Sequence, residues 1–200
     1  MILRSASASP YGRKCKMSAL ILGLMDRIEI VAADTRDPED SMRQQNPLGK
    51  IPILITDDGM ELFDSPVICE YLDGVAGGNQ LYPEGETRWP AIRLQALCDG
   101  ILDAGLLIVY EARYRPENVH HQPWLDMQQG KIDQALAWLE ANTPQTGDKP
   151  NIGEVTLACA LGYLDFRFPG TWRDSHPNLV AWLSAFEKAI PSYAQTIPSD

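Results

Sequence analysis

Apolar and polar positions change their rhythm along this chain. At the start, Ile2-Leu3 followed by Ser5 to Ser7 predicts a short strand. From Pro10 to Gly23 the period is helical, with Met17, Leu20, Ile21 and Leu24 at i, i+3, i+4 and i+7. Arg27 to Ala33 alternates, with Ile28, Ile30 and Ala32 on one face, and predicts a second strand. Pro38 to Gln45 is polar and reads as a short helix or turn. Ile51 to Ile55 predicts a strand, Asp57-Asp58-Gly59 a hairpin turn, and Met60 to Phe63 the return. Ser65 to Asp73 is helical, and Gly74, Gly77 and Gly78 end it.

Beyond residue 86 every periodic segment is helical. Thr87 to Tyr114 carries Ile92, Leu94, Leu97, Ile101, Leu102, Leu106, Leu107 and Val109. Gln122 to Ala141 puts Ile132, Leu136 and Leu139 on one face. Asn151 to Phe166 opens with Asn151 and Glu154 at capping-box spacing, Asn standing where Ser or Thr is usual. Pro177 to Ile190 places Leu179, Val180, Leu183 and Phe186 at helical spacing. Between the two regions, residues 79–86 hold Asn79, Pro83 and Gly85 and read as a linker. The expected fold class is α/β followed by all-α. An α/β domain covers 1–78 in the order β-α-β-α-β-β-α, and an all-helical domain covers 87–200.

Composition narrows the function without naming it. The chain's 200 residues are enough to bury a real core. Net charge is −10 and is spread evenly: residues 1–78 hold 8 basic and 12 acidic groups, residues 79–200 hold 9 and 15. Neither part is basic, which argues against nucleic acid as a partner. No apolar run approaches the roughly 20 residues that span a bilayer, so no membrane is expected. The first residues make too short an apolar stretch for a signal peptide, and the expected location is the cytoplasm. Cys15, Cys69, Cys98 and Cys159 are widely spaced among apolar neighbours and read as buried reduced thiols. Neither they nor the histidines show ligand spacing, so no metal is expected, and His120-His121 falls in a polar connection. One local exception to the acidic balance is the cluster Arg13, Lys14 and Lys16, with Lys50 a candidate neighbour. Two readings stand for it, a spot for a small anion and a solvated helix face.

Residues 46–65 carry the most chemistry. Pro52 sits at the mouth of an apolar strand. Proline cannot donate to a ladder, so it belongs at a strand start or a bend, with a cis bond as one option. The backbone of Ile51 is then free to pair with something outside the sheet. Asp64-Ser65-Pro66 opens a helix whose first N–H groups lack internal partners. A free strand-like edge beside a helix N-terminus suits an extended small peptide, held by its backbone and a carboxylate.

Over essentially its whole length the chain resembles the glutathione S-transferase superfamily. Ser9-Pro10-Tyr11-Gly12-Arg13-Lys14 is similar to that family's catalytic-serine segment, and Asn46-Pro47-Leu48-Gly49-Lys50-Ile51-Pro52 to its cis-proline loop. Asp64-Ser65 resembles the acidic-Ser pair that holds the γ-glutamyl end of glutathione. Asn151-Ile152-Gly153-Glu154 through Arg167 resembles the capping segment of a late helix in bacterial members, with Asn and Glu in place of the usual Ser or Thr and Asp. The resemblance implies a thioredoxin-like first domain, glutathione as cosubstrate and a homodimer.

Residue by residue, the resemblance implies that Ser9 stabilises the glutathione thiolate, as a hydroxyl donor at the positive end of a helix. Ile51, just before Pro52, would pair its backbone with the cysteinyl part, and Lys50 would meet the glycyl carboxylate. Ser65 would bind the γ-glutamyl carboxylate and Asp64 the ammonium. Plainer roles stand beside these: Ser9, Asp64 and Ser65 as helix caps, and Lys50 as an exposed loop lysine. Tyr11 reads as a lining residue of the electrophile pocket. Tyr110 and Arg113, with Tyr114, are further candidates or ordinary surface residues. Cys15, about one and two-thirds turns past Ser9, points into the core, and Ser5 and Ser7 belong to the strand. The implied reaction is conjugation to a small hydrophobic electrophile, a detoxification chemistry. Glutathione-dependent peroxide reduction, dehalogenation and a non-enzymatic binding or regulatory role remain alternatives on the same scaffold. Serine at position 9 sets aside the thiol-transferase branches, which need a cysteine there, and the missing serine cluster disfavours maleylacetoacetate isomerisation.

Overall fold

The computed structural model describes residues 1–145 and 147–199. Four short strands form one sheet: β1 (Ile2–Ser5), β2 (Glu29–Ala32), β3 (Ile53–Ile55) and β4 (Glu61–Leu62), in the order β2-β1-β3-β4. β1 and β2 are parallel, with Leu3 opposite Ile30. Parallel neighbours need a crossover, and α1 (Pro10–Ile21) supplies it. β3 is antiparallel to both of its neighbours, with Arg4 opposite Ile53 and Leu54 opposite Leu62. α2 (Met42–Gln45) precedes β3, and α3 (Ser65–Val75) follows β4. Leu3 and Leu54 from the sheet, Cys15 and Met17 from α1, and Ile68 and Leu72 from α3 are buried in one core. This is the thioredoxin-like order that the sequence pattern predicts.

The second strand departs from its predicted form. A turn of 3-10 helix over Met25–Arg27 delays the strand to Glu29, so Ile28 is buried as a cap residue outside strand register. Ile30 is then 43% exposed and Ala32 is also exposed, so the expected inward face of Ile28, Ile30 and Ala32 does not form. Ser7 also lies outside β1, in a turn, where its hydroxyl donates to the Ser199 carbonyl at 2.7 Å.

Everything after residue 87 in the described structure is helix or connection: α4 (Arg88–Tyr114), α5 (Gln122–Ala141), α6 (Ile152–Arg167), α7 (Pro177–Ala189) and the short α8 (Ser192–Gln195). α6 is the centre of this part, and its residues from Ile152 to Leu164 are all buried. A helix start so deep needs its N–H groups satisfied locally. Asn151 Oδ1 accepts from the Gly153 and Glu154 amides at 2.9 and 3.3 Å, and the Glu154 carboxylate accepts from the Asn151 amide at 2.8 Å. This is the capping box that the Asn-x-x-Glu spacing predicts. Gly153 lets α4 approach: a Cβ there would sit 2.6 Å from the Ala91 carbonyl oxygen and 2.7 Å from the Leu94 Cβ.

The stretch from 79 to 86 is fastened to both parts. Asp73 accepts from the Gln80 and Leu81 amides at 3.1 and 2.7 Å, and the Leu81 carbonyl accepts from the Ile152 amide at 2.9 Å. Leu81 and Tyr82 are buried.

Two members of the basic cluster on α1, Arg13 and Lys14, are neither an anion site nor a solvated face, while Lys16 is half-buried and Lys50 exposed. Arg13 and Lys14 are 2% and 0% exposed. Arg13 donates to the Tyr193 carbonyl at 3.0 Å and to Thr196 Oγ1 at 3.4 Å, and its guanidinium lies 4.3 Å from the centre of the Tyr193 ring. Lys14 Nζ donates to both carboxylate oxygens of Asp99 on α4, at 2.6 and 2.8 Å. Both charges therefore dock α1 onto the helical part. All four cysteines are free and buried, as their apolar neighbours predict.

Candidate active site at one end of the sheet

Strand direction alone brings three sequence segments together. β3 runs against β1, so the start of β3 lies beside the end of β1. β4 runs against β3, so the end of β4 returns to that same place. The turn after β1 carries Ser9, the loop before β3 carries Lys50, Ile51 and Pro52, and the exit from β4 carries Asp64 and Ser65. Residues separated in sequence by more than 50 positions thus share one end of the sheet.

Ser9 is the N-cap of α1, and Pro10 follows it at the first helical position. Its oxygen accepts from the Gly12 amide at 3.1 Å. Accepting this bond leaves the hydroxyl proton available for a second group. Gly12 is required for the fit, because a Cβ there would meet Ser5 Oγ at 2.0 Å and block the first turn of α1 from lying on β1. The Ile51–Pro52 peptide bond is cis. No backbone hydrogen bond within the described residues takes up the Ile51 amide or carbonyl. Lys50 is exposed, and its carbonyl accepts from Asn46 Nδ2 at 2.9 Å. Asp64 follows a second cis bond, Phe63–Asp64, and occupies the N-cap position of α3 without a side-chain capping bond. Its carboxylate is exposed, whereas Ser65 is 1% exposed. The Ser65 carbonyl meets the Cys15 thiol at 3.9 Å, which ties the start of α3 to α1.

Tyr11, in the first turn of α1, donates its hydroxyl to Asp103 on α4. Burial and this carboxylate push the Tyr11 hydroxyl pKa up, so it stays protonated. Asp103 and Asp99 were not legible as contact residues. Charged positions on a helix read as solvated, although Cys98 and Leu102, which flank Asp99 and Asp103, hinted that this face of α4 is covered. Asp99 titrates above the ordinary carboxylate range because burial outweighs the Lys14 ammonium beside it. Tyr110 and Arg113 stand together further along α4, with the Arg113 guanidinium 5.7 Å from the centre of the Tyr110 ring. They are distant in sequence from the three converging segments but lie on the helix that Tyr11 touches.

The family description "Glutathione S-transferase, N-terminal domain" matches residues 8–75, which contain all three converging segments. The matching C-terminal domain description covers residues 122–185. The chain belongs to the glutathione S-transferase family. The GST-like protein YibF of Escherichia coli K12, named as uncharacterised, is 35% identical over 206 residues, covering 99% of this chain and 98% of YibF. A glutathione transferase family member from Pseudomonas fluorescens Pf-5, solved with bound glutathione, is 41% identical with a TM-score of 0.89, covering 100% of this chain and 99% of that one. A glutathione S-transferase from Methylobacillus flagellatus KT with GSH bound is 32% identical with a TM-score of 0.91, covering 99% of each chain. Among the described residues of this family member no helix is long and apolar enough to cross a membrane.

Proposed function

We propose that this chain binds glutathione across this end of the sheet and conjugates it, as the thiolate, to a small hydrophobic electrophile. The observation that carries the reading is the convergence of a helix-capping hydroxyl, an unpaired strand-like backbone and an acidic helix start at one sheet end. An extended tripeptide has one complementary feature for each. Ile51 offers its free amide and carbonyl to the cysteinyl backbone, and Pro52 holds that edge open. Ser65, at the start of α3, takes the γ-glutamyl carboxylate with its amide, and the exposed Asp64 takes the ammonium. Lys50 reaches the glycyl carboxylate as a point charge. Residues 1–78 are on this reading the glutathione-binding domain, 79–86 the connection and 87–200 the domain that walls the electrophile site, in a cytoplasmic homodimer.

Ser9 does the chemical work. A free thiol has a pKa of about 8.5, so most glutathione at neutral pH is protonated. The Ser9 proton, free of its own capping bond, donates to the sulfur, and the start of α1 adds positive potential. Both favour the thiolate. A hydrogen bond to a charged group is worth about 1.5–3 kcal/mol, or some 10- to 100-fold in rate. Ser9→Ala therefore lowers conjugation by that factor and raises the apparent pKa of its pH–rate profile. Glutathione still binds to the variant in calorimetry, and Ser9→Thr keeps most of the activity. Full activity in Ser9→Ala would remove Ser9 from this role. Loss of glutathione binding by the wild-type protein would remove the whole reading.

A further inference from the structure

The face of α4 above Tyr11 has a polarity along its length. At its base, Asp99 is held by Lys14 and Asp103 by the Tyr11 hydroxyl. Four, seven and eleven residues after Asp103, Leu107, Tyr110 and Tyr114 continue the same face. The Tyr110 and Tyr114 rings meet edge to face with centroids 5.2 Å apart. Arg113 lies over the Tyr110 ring at 5.7 Å. Helical side chains lean toward the N-terminus of their helix. Its seat over the preceding turn therefore points the Arg113 cation back toward Asp103, not past the helix end. Among the described residues no carboxylate pairs with Arg113, whereas Arg115 two positions on takes Glu111 at 3.3 Å. Tyr163 of α6 packs beside the bare Gly105 on the buried side of α4, where a Cβ would lie 3.4 Å from its ring, so the Tyr110 and Tyr114 face is the one left outward. Carboxylates at the base and an unpaired guanidinium at the top give an anionic tail one favourable orientation.

We propose that the electrophile is an aromatic or conjugated carboxylate, with its reactive carbon beside Ser9, its flat body against Tyr110 and its carboxylate on Arg113. This rests on the glutathione reading above and names the substrate class of that site. About 10 Å of helix rise separates Asp103, which Tyr11 touches, from Tyr110, which Arg113 covers, a span about the length of one substituted ring. With an aryl chloride the step is a substitution: the thiolate forms the C–S bond, the C–Cl bond breaks and chloride leaves. The competing role for Arg113 is to offset the unpaired carbonyls at the end of α4, which predicts stability effects and no substrate preference.

The test uses two probes of equal size, 4-chloro-3-nitrobenzoate and the neutral 4-chloro-3-nitrobenzamide, with each catalysed rate divided by its uncatalysed rate. The wild type favours the benzoate by about fivefold to tenfold, less at high salt. Arg113→Gln brings the ratio close to one through the benzoate alone, and Arg113→Lys recovers part of it. Equal rates for the two probes in the wild type, or an equal loss of both in Arg113→Gln, overturn the proposal. Calorimetry separates this failure from failure of the conjugation reading. S-(4-carboxybenzyl)glutathione binds the wild type more tightly than S-benzylglutathione, and Arg113→Gln abolishes the difference while binding glutathione unchanged. If neither probe reacts but this binding difference holds, conjugation falls and the anion preference stands. If glutathione does not bind, both fall.

Discussion

Asp40 shows how much one carboxylate can organise. It accepts from the Asp34 and Met42 amides, each at 2.8 Å, and from Arg4 at 2.7 Å, and so closes the polar loop between β2 and α2. The backbone donors first, then Arg4, hold its carboxyl below the ordinary range. A depressed pKa contributes stability above the unfolded value of about 3.9, and that stability is lost as pH falls through the lower folded value. Asp40→Asn is therefore less stable than the wild type at pH 7 in urea titrations, and the gap closes between about pH 5 and 2. A gap that stays constant with pH would assign the effect to something other than ionisation. At this scale the chain was partly legible. Ser9 before Pro10 announced a cap, and Pro52 at a strand mouth announced its bend. Arg13 and Lys14 were not legible, because their partners Tyr193 and Asp99 lie 180 and 85 residues away and no local pattern couples them.

Long periodic elements were the most readable, because each period is set by many residues at once. α5 spans Gln122–Ala141 as its pattern predicts, and α6 carries its predicted cap. β2 was readable as a strand but not in the face it buries, and α8 was not readable at all. Four residues of strand at a sheet edge leave too little burial to impose alternation, and four residues of helix have no period. Close approach between elements is likewise invisible to periodicity, although Gly153 encodes one. Gly153→Ala drives a methyl group onto the Ala91 carbonyl, and backbone cannot swing aside as a side-chain tip can. The expected cost is about 1–3 kcal/mol as α4 and α6 separate. A fall in the thermal midpoint checks it, and an unchanged midpoint would mean that α4 and α6 give way at this contact without cost.

Across the whole molecule, two buried charges of α1 tie the sheet-bearing part to the helical part. Burial pulls the Lys14 ammonium pKa down, but the Asp99 carboxylate, with Cys69 and Cys15 beside it, keeps it above its ordinary value. Lys14→Ala leaves the Asp99 carboxylate, whose side chain is only 18% exposed, without its partner, at a cost of about 3–5 kcal/mol. Replacing both, as Lys14→Met with Asp99→Leu, recovers most of that loss in guanidinium unfolding. If the double variant were no better than the single one, the cost would lie in lost packing and not in the stranded charge. Arg13 has a consequence of another kind. Its acceptors belong to residues 193 and 196, which are made 180 and 183 residues after it. A ribosome delivers the first helix long before the atoms that satisfy it. Until then, the helix that presents Ser9 holds a guanidinium with no berth, and it settles only when residues 193–196 emerge.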